Sequence, residues 1–440
     1  MREILNFHFG KGGINTGMKY WETISEEHHL DSDGFPCSDD ELSSEYRGIN
    51  FKETPDGNYS PRAILADTDS SFLESAIMNY SGPSFDPHNF IAGERFGLSC
   101  WAKGYYTDGA EIIDHILDAA RKEVEACSNP QGFQLCHSIG GGTGSGMGCL
   151  LLSRLKEEFP AKMCSTFSIF PSQKVSEIAI ETYNATLAID KLTEDCDLVN
   201  VIDNEALYDI NTKILHIESP EDNHLNDILI PAYSSITSCQ RFRGESHSTL
   251  RRVCMEMVPL PRFPFLMMSS APLSLEGILF DDERELQNVT QQIFTAKHFL
   301  CGVDIRHGRH LSGNAIFRGN CTQKDADMQI MNTLNRSSYY FADYIAHPCK
   351  NAVVPVPSKD FNLSGSLHLN STSINEMFRR IKMLHKDLYS KQKFMFNYRA
   401  EGLENQEMED AYSNLVDLIQ EYQQVQDFTA EEEGEFDEEL

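Results

Sequence analysis

A run of glycines and hydroxyl side chains at residues 137–146, HSIGGGTGSG, is the segment whose residue types and spacing could do chemistry. Glycine has no Cβ, so backbone N–H groups can close around an anion, and a helix that follows adds the positive end of its dipole. Ser138, Thr143 and Ser145 add hydroxyl groups. No Walker lysine follows the run, and its spacing is not G-x-G-x-x-G. The pattern therefore predicts a phosphate-binding loop that is neither a P-loop nor a dinucleotide fingerprint.

The segments on either side of this loop predict its place in the fold. Residues 133–139 are an apolar stretch typical of a buried strand, and residues 147–158 have helical periodicity. Flexible Gly/Ser linkers do not lie between a buried strand and an amphipathic helix. The loop is thus expected at the carboxyl end of a strand, where α/β sheets bind ligands.

The first hundred residues repeat this arrangement. The apolar stretch 4–9 leads into a second glycine run, GKGG at 10–13, and then into a helical pattern at 16–27. A further strand pattern at 62–66 ends in the polar triplet 67–69, Asp-Thr-Asp. Strands that alternate with helices predict an α/β fold with a parallel, Rossmann-like sheet and helices on both faces.

The rest of the chain changes character. A long helix is expected at 204–215, followed by a mixed α+β region to about residue 370. Apolar residues recur at helical spacing from 407 to 426, which predicts a C-terminal helical hairpin. The last twelve residues, 429–440, hold seven acids and no base, so we expect a disordered, solvated tail.

Composition excludes several classes of protein. The 440 residues contain 37 Lys+Arg and 67 Asp+Glu, a formal net charge of −30. Nucleic-acid binding depends on basic side chains, so we expect no nucleic-acid partner. No apolar run approaches the roughly 20 residues that span a bilayer, and no signal-peptide pattern opens the sequence, which favours the cytoplasm. The twelve cysteines include no C-x-x-C pair, so zinc-ligand spacing is absent.

The chain resembles the tubulin family over essentially its whole length. The GGGTGSG loop at 140–146 is the signature of that family, and further shared motifs are MREI at 1–4, WAKG at 101–104, YNATL at 183–187, IDNEALYD at 202–209, VP at 258–259, RHGR at 306–309 and EYQQ at 421–424. Within the family the chain is most similar to β-tubulin, because it has no extra loop near 354–361 and carries a β-like acidic tail.

This resemblance implies a fold with four parts. They are a GTP-binding domain at 1–205, an intermediate domain at 206–372 entered through the helix at 204–215, a C-terminal helical domain at 373–428 and an acidic tail at 429–440. It implies GTP or GDP as the nucleotide and Mg²⁺ as its metal ion.

The resemblance also assigns roles to individual residues. Asp69 is expected to help hold Mg²⁺, Glu177 to reach the ribose, and an asparagine pair to read the guanine edge. The full set expected to bind GTP is Gly10, Ser138, Gly140, Gly141, Gly142, Thr143, Gly144, Glu177, Asn204 and Asn226.

The implied function is structural rather than enzymatic. The chain would pair with α-tubulin in a heterodimer that polymerises into microtubules of the cytoplasmic cytoskeleton, and its tail would attract microtubule-associated proteins and motors. No self-contained set of catalytic residues is evident. The resemblance implies that Arg252 would steady the partner's GTP rather than cleave it. Hydrolysis of the GTP bound by this chain would need an acidic residue from another subunit.

The sequence departs from the family pattern at functional positions. Lys11 stands where β-tubulins have glutamine, and it either adds positive charge near the phosphates or is merely solvated. Ser99 and Cys100 replace an amide pair, and Asp222 replaces the tyrosine that stacks on guanine. Residues 275–285, on a surface used for lateral assembly, hold five acids and one base. This loop either selects an unusual neighbour or is simply solvated.

These departures leave an alternative open. The chain could be a specialised tubulin with weakened GTP binding or weakened lateral contacts that does not enter ordinary microtubules. A metabolic enzyme on a Rossmann-like sheet is a poorer interpretation, because the GGGTGSG loop does not suit a dinucleotide.

Overall fold

The computed structural model describes residues 2–37, 46–93, 99–172, 178–217, 219–242, 249–273, 285–342, 348–359 and 361–438, with side chains as far as residue 427. The glycine loops, the sheet and the C-terminal helices all lie within these ranges. The acidic loop at 275–285 falls almost wholly outside them.

Strands occur in both the N-terminal and the C-terminal half of the chain. In order they are β1 Ile4–Phe9, β2 Phe51–Glu53, β3 Tyr59–Pro61, β4 Ala63–Asp67, β5 Phe90–Ala92, β6 Gly132–Ser138, β7 Met163–Phe170, β8 Leu198–Asp203, β9 Phe265–Ala271, β10 His310–Gly319, β11 Cys349–Val354 and β12 Leu363–Ser371. Among the described residues, ten of these strands form one sheet in the order β11-β10-β12-β9-β8-β7-β6-β1-β4-β5.

Helices connect and cover these strands. They are α1 Gly10–Glu27, α2 Ser70–Met78, α3 Asp108–Ala126, α4 Gly148–Glu158, α5 Glu181–Asp195, α6 Asn204–Lys213, α7 Asp222–Arg241, α8 Leu250–Met257, α9 Leu286–Ile293, α10 Gln323–Arg336, α11 Asn375–Ser390, α12 Met395–Ala400 and α13 Asn405–Glu438. Short π-helical turns, Lys103–Thr107 and Thr143–Met147, lead into α3 and α4.

The sheet is parallel from β5 to β9, which confirms the α/β fold with a Rossmann-like sheet. At the other end β12 runs antiparallel to both β9 and β10, as a mixed α+β region requires. Strands β8 and β9 pair directly, with Val199 opposite Phe265. The two domains expected to meet at residue 205 therefore share one sheet, and that boundary stays a prediction.

Apolar side chains cover both faces of the sheet. Along β4, Ala63 and Leu65 join the cluster beneath α1 and α7, whereas Ile64 and Ala66 join the cluster beneath α3, α4 and α5. This alternation follows from the two-residue period of a strand. Burial on both faces is what a parallel sheet with helical crossovers requires.

The C-terminal helices form the predicted hairpin. Asn375 of α11 donates to the carbonyl of Ile419 in α13 at 3.2 Å, and Tyr389 donates to Glu409 at 2.8 Å. Helix α13 is longer than the predicted 407–426, and the side chains of the predicted tail, 429–440, lie outside the described residues. Within the part of the chain that the structure describes, no helix is both long and apolar enough to cross a membrane.

Candidate nucleotide-binding site

Five parallel strands end in register at one edge of the sheet. Ala66, Phe9, His137, Ser168 and Val201 lie side by side across β4, β1, β6, β7 and β8. The segments that follow these strands therefore emerge at the same edge. Those segments carry the predicted phosphate, metal and base residues, so the fold gathers them where an α/β sheet binds ligands.

Gly10 joins β1 to α1 in a backbone conformation that favours glycine. Its φ is +70°, and a Cβ added to it would lie 3.0 Å from the backbone nitrogen of Gly144. A Cβ on Gly13 would lie 2.3 Å from the carbonyl oxygen of Cys136. Because these glycines let the chain pack directly on β6, α1 begins at Gly10 and not at the predicted residue 16.

The predicted phosphate loop is a tight backbone turn after β6. The N–H of Gly140 donates to Ser138 Oγ at 3.4 Å, and Ser145 Oγ donates to the carbonyl of Gly141. A Cβ on Gly144 would lie 2.6 Å from the carbonyl oxygen of Ser138. Gly141 is exposed, and a Cβ there would meet no protein atom within 4 Å. The loop thus presents its tip to open space at the start of a helix, as an anion site requires.

His137 supports this loop from below. The ring is buried, with Nδ1 2.7 Å from the carbonyl oxygen of Gly144 and Nε2 2.9 Å from Ser168 Oγ. Burial lowers the pKa of His137 to about 4, so the ring is neutral at physiological pH. A carbonyl only accepts, so Nδ1 carries the proton and donates to Gly144. The histidine therefore fixes the backbone of the loop without adding charge.

Asn184, a buried residue of α5, ties the loop to the segment before α3. Its amide nitrogen donates to the carbonyls of Gly140 and Ser99, both at 2.7 Å. Its oxygen accepts from the N–H of Trp101 at 2.8 Å and from the Tyr398 hydroxyl at 2.5 Å. One side chain thus joins the phosphate loop, the residue-99 segment and the C-terminal helices.

The far side of the loop contacts the end of β4. Thr143 Oγ1 lies 3.0 Å from Thr68 Oγ1, and both side chains are buried. A Cβ on Gly104 would lie 2.3 Å from the carbonyl oxygen of Gly142. Gly142 and Thr143 are therefore held against neighbouring segments, and the Asp67-Thr68-Asp69 triplet lies beside the phosphate loop.

Asp69 has partners on both carboxylate oxygens. Oδ1 accepts from Ser71 Oγ at 2.7 Å and from the N–H of Phe72 at 3.4 Å, so this side chain caps α2. Oδ2 lies 3.6 Å from Lys11 Nζ. The hydrogen bond from Ser71 is the main cause that lowers the pKa of Asp69, and the Lys11 charge contributes.

These contacts do not fit the Mg²⁺ expected on Asp69, because the Lys11 ammonium already lies 3.6 Å from Oδ2 of this carboxylate. Asp67 Oδ2 is buried with no hydrogen-bond partner among the described residues.

The two asparagines expected at the base lie on α6 and α7. Asn204 begins α6 directly after β8, and Asn226 Oδ1 accepts from Thr16 Oγ1 of α1 at 3.2 Å. Asn204 follows β8, three strand spacings from β1, or about 14 Å. This separation suits an extended ligand with its phosphates at the glycine loops. Glu177, expected at the ribose, lies outside the described residues.

Besides Lys11, the structure describes three residues that depart from the family pattern, Ser99, Cys100 and Asp222. Asp222 is the exposed first residue of α7 and brings no aromatic ring to this end of the site. The carbonyl of Ser99 is held by Asn184, and Cys100 is buried. Residues 94–98 are not among those described.

Three residues at the site were not singled out as functional in the sequence. Asn184 and Thr68 have partners 44 to 214 residues away, and no local pattern points to contacts of that range. His137 directly precedes the loop, and its position at the end of an apolar strand was a usable signal.

A parallel sheet that gathers two glycine loops and a helix N-terminus at one edge is typical of phosphate-binding, nucleotide-binding proteins. Comparison with known families gives two matches: the Tubulin/FtsZ family, GTPase domain, over residues 3–212, and the Tubulin C-terminal domain over residues 261–383. The chain therefore belongs to the tubulin family, and it is a guanine-nucleotide-binding protein of the cytoskeletal type.

Proposed function

We propose that this chain is a β-tubulin-like structural subunit that binds GTP or GDP, pairs with α-tubulin and polymerises into microtubules of the cytoplasm. The observation that carries the proposal is the contact of Gly10 with Gly144 beside the exposed tip at Gly141. Their backbones come together where phosphates would bind, with the tip at Gly141 open to solvent. The expected set from Ser138 to Gly144 would bind the phosphates, with Asn204 and Asn226 at the guanine.

Hydrolysis in this proposal is shared between subunits. His137 is buried beneath the phosphate loop with both ring nitrogens in hydrogen bonds, so it is not placed as a base for an attacking water. Helix α8 carries exposed Arg251 and Arg252, and Arg252 pairs with Glu256 at 3.1 Å. A basic surface here would bind a neighbour's phosphates by charge, whereas an acidic residue of α-tubulin would complete hydrolysis of this chain's GTP.

The acidic tail has its own proposed role. Residues 429–440 carry seven acids and no base. A dense, one-sign charge attracts basic partners over a distance, so microtubule-associated proteins and motors would associate faster with polymer that contains this chain.

A second candidate is a specialised tubulin that stays outside ordinary microtubules. The observation that favours it is exposed Asp222, because loss of a stacking ring removes about 1–3 kcal/mol of base binding. The acidic sequence at 275–285 is consistent with a changed lateral neighbour.

Co-sedimentation separates these candidates. The chain is purified with α-tubulin, supplied with GTP, warmed to assemble and centrifuged. Incorporation into the pellet in proportion to the chain added supports the microtubule subunit. A heterodimer that remains in the supernatant, and does not enter polymer even with ordinary β-tubulin as carrier, supports the specialised form and contradicts the first proposal.

A further inference from the structure

We propose that Lys11 supplies the positive charge expected from Mg²⁺, so that the chain holds the phosphates of its guanine nucleotide without depending on a metal ion. This inference rests on the proposed nucleotide site. It concerns how the phosphate charge is neutralised there. It follows from the contacts of Asp69, which do not fit the expected Mg²⁺.

The position of Lys11 is set by the backbone beside it. Lys11 follows Gly10, whose left-handed φ and contact with Gly144 fix where α1 starts relative to the phosphate loop. From there the side chain reaches Asp69, with Nζ 3.6 Å from Oδ2. Nζ also lies 5.3 Å from the centroid of the Phe72 ring. Two contacts on α2 thus hold the ammonium next to the loop.

The ammonium remains accessible to a ligand. The Lys11 side chain is 59% exposed, whereas that of Asp69 is 10% exposed. An ammonium has three donors, and its 3.6 Å contact with Asp69 Oδ2 is an ion pair and not a hydrogen bond. Phosphate oxygens that arrive at the tip of the loop would therefore find a hydrated positive charge already in place.

The same charge disfavours a metal at this carboxylate. Mg²⁺ requires ligand distances of about 2.0–2.1 Å and near-octahedral geometry. At that distance from Asp69 Oδ2 it would crowd the Lys11 ammonium, and two cations would repel each other. The other carboxylate oxygen is already committed to Ser71 and to the N–H of Phe72.

The test compares nucleotide affinity with and without metal. The Kd of GTP is measured on the heterodimer with α-tubulin, after exchange of the nucleotide in this chain's site, in excess Mg²⁺ and in EDTA. The wild-type chain is expected to bind within about threefold in the two conditions. Lys11→Gln should bind at least about tenfold more weakly in EDTA and recover in Mg²⁺, while Lys11→Arg should keep the wild-type pattern.

Control variants separate this effect from a change in stability. Lys213→Gln removes an exposed lysine at the C-terminal end of α6, where it pairs with Asp209. The Kd of GTP for this variant should match that of the wild type in both conditions. Lys11 is exposed, so Lys11→Gln should keep the wild-type thermal midpoint. The Mg²⁺ content of the isolated nucleotide complex should be low in the wild type and higher in Lys11→Gln.

Two results would overturn the inference. One is a wild-type chain that loses its nucleotide in EDTA as Lys11→Gln does, and the other is a Lys11→Gln variant that binds as the wild type does in EDTA. A chain that binds no guanine nucleotide in either condition would instead contradict the proposed nucleotide site, and the inference with it.

Discussion

The closest contacts at the nucleotide edge are made by glycines that are far apart in the sequence. Gly10 and Gly144 approach each other across the ends of β1 and β6, and neither can carry a side chain without displacing backbone atoms. The glycine runs themselves were readable in the sequence. The sequence does not show which glycines serve packing and which face the ligand. That division depends on the register of two strands more than 120 residues apart.

A pair of substitutions separates packing from binding. Gly144→Ala puts a methyl group 2.6 Å from the Ser138 carbonyl and should cost about 1–3 kcal/mol of stability as well as nucleotide binding. Gly141→Ala meets no protein atom, so it should keep the thermal midpoint and still weaken nucleotide retention, because the methyl enters the space proposed for phosphate. Thermal unfolding without nucleotide and a filter-binding assay measure the two effects. Equal loss of stability in both variants would contradict this division.

Asn184 gives a second prediction at this scale. Asn184→Ala leaves the carbonyls of Gly140 and Ser99 without their donor, and it should destabilise the chain by about 2–4 kcal/mol. Asn414→Ala is the matched control, since exposed Asn414 makes one bond, to Asp190 at 2.7 Å, and should cost under about 0.5 kcal/mol. Urea unfolding monitored by circular dichroism distinguishes them. Similar midpoints for the two variants would mean that Asn184 does not hold the loop.

At the scale of elements, strands and helices followed from the sequence better than their ends did. Strand β1 matches its predicted range, and the strand–loop–helix unit around residue 140 is present as expected. The start of α1 was placed six residues too late, because a GKGG run predicts a loop unless a neighbouring strand lies close enough to need glycine. Strand β7 begins at Met163, and its residues 163–166 pair with residues 132–135 of β6.

A buried ion cluster joins three elements that no sequence motif connects. Glu27 of α1 accepts from Arg241 of α7 at 2.8 Å and from Arg318 of β10 at 2.9 Å, and Ser234 donates to the same carboxylate. Burial opposes ionisation of Glu27, but the two arginines outweigh it and lower its pKa to about 2. The cluster therefore fixes α1, and with it Gly10 and Lys11, against the intermediate region.

Neutralising this carboxylate tests the cluster. Glu27→Gln leaves two buried guanidinium groups without a countercharge and should destabilise the chain by about 3–5 kcal/mol. The adjacent Glu26→Gln breaks a pair with Lys359 at the exposed surface and should cost less than about 1 kcal/mol. Denaturant midpoints measured for both variants give the comparison. A Glu27→Gln chain as stable as Glu26→Gln would show that the cluster contributes no net stability.

At the scale of the whole molecule, one sheet runs from the nucleotide edge into the mixed region. The pairing of β8 with β9 links the segment that ends at Asn204 to strands that pack beneath the C-terminal hairpin. Alternating strand and helix patterns predicted the parallel part. The antiparallel pairing of β12 with its two neighbours could not be predicted, because it joins strands about 50 and 100 residues apart without any hairpin signal.

Buried histidines predict how the whole fold responds to acid. Burial lowers the pKa of His137, His310 and His385 to about 4 and that of His8 to about 3. In the unfolded chain a histidine titrates near about 6.5. The unfolded state therefore binds more protons below that pH, and stability is full above it and falls as the pH drops toward 4.

The size of this effect is measurable. Each buried histidine should cost about 1 kcal/mol at about pH 5.5 relative to about pH 7.5. His385→Gln should flatten the pH dependence of the denaturant midpoint. A His385→Gln chain with the wild-type slope would contradict the assignment of this acid sensitivity to buried neutral rings.

The nucleotide that the purified chain retains tests the guanine-nucleotide site most directly. The chain is isolated without added nucleotide, denatured with acid, and the released bases are identified by chromatography. The structure and family membership predict near-stoichiometric guanine nucleotide, and Gly144→Ala should retain far less. Retention of adenine nucleotide, or of no nucleotide by a chain that is folded by circular dichroism, would contradict the account.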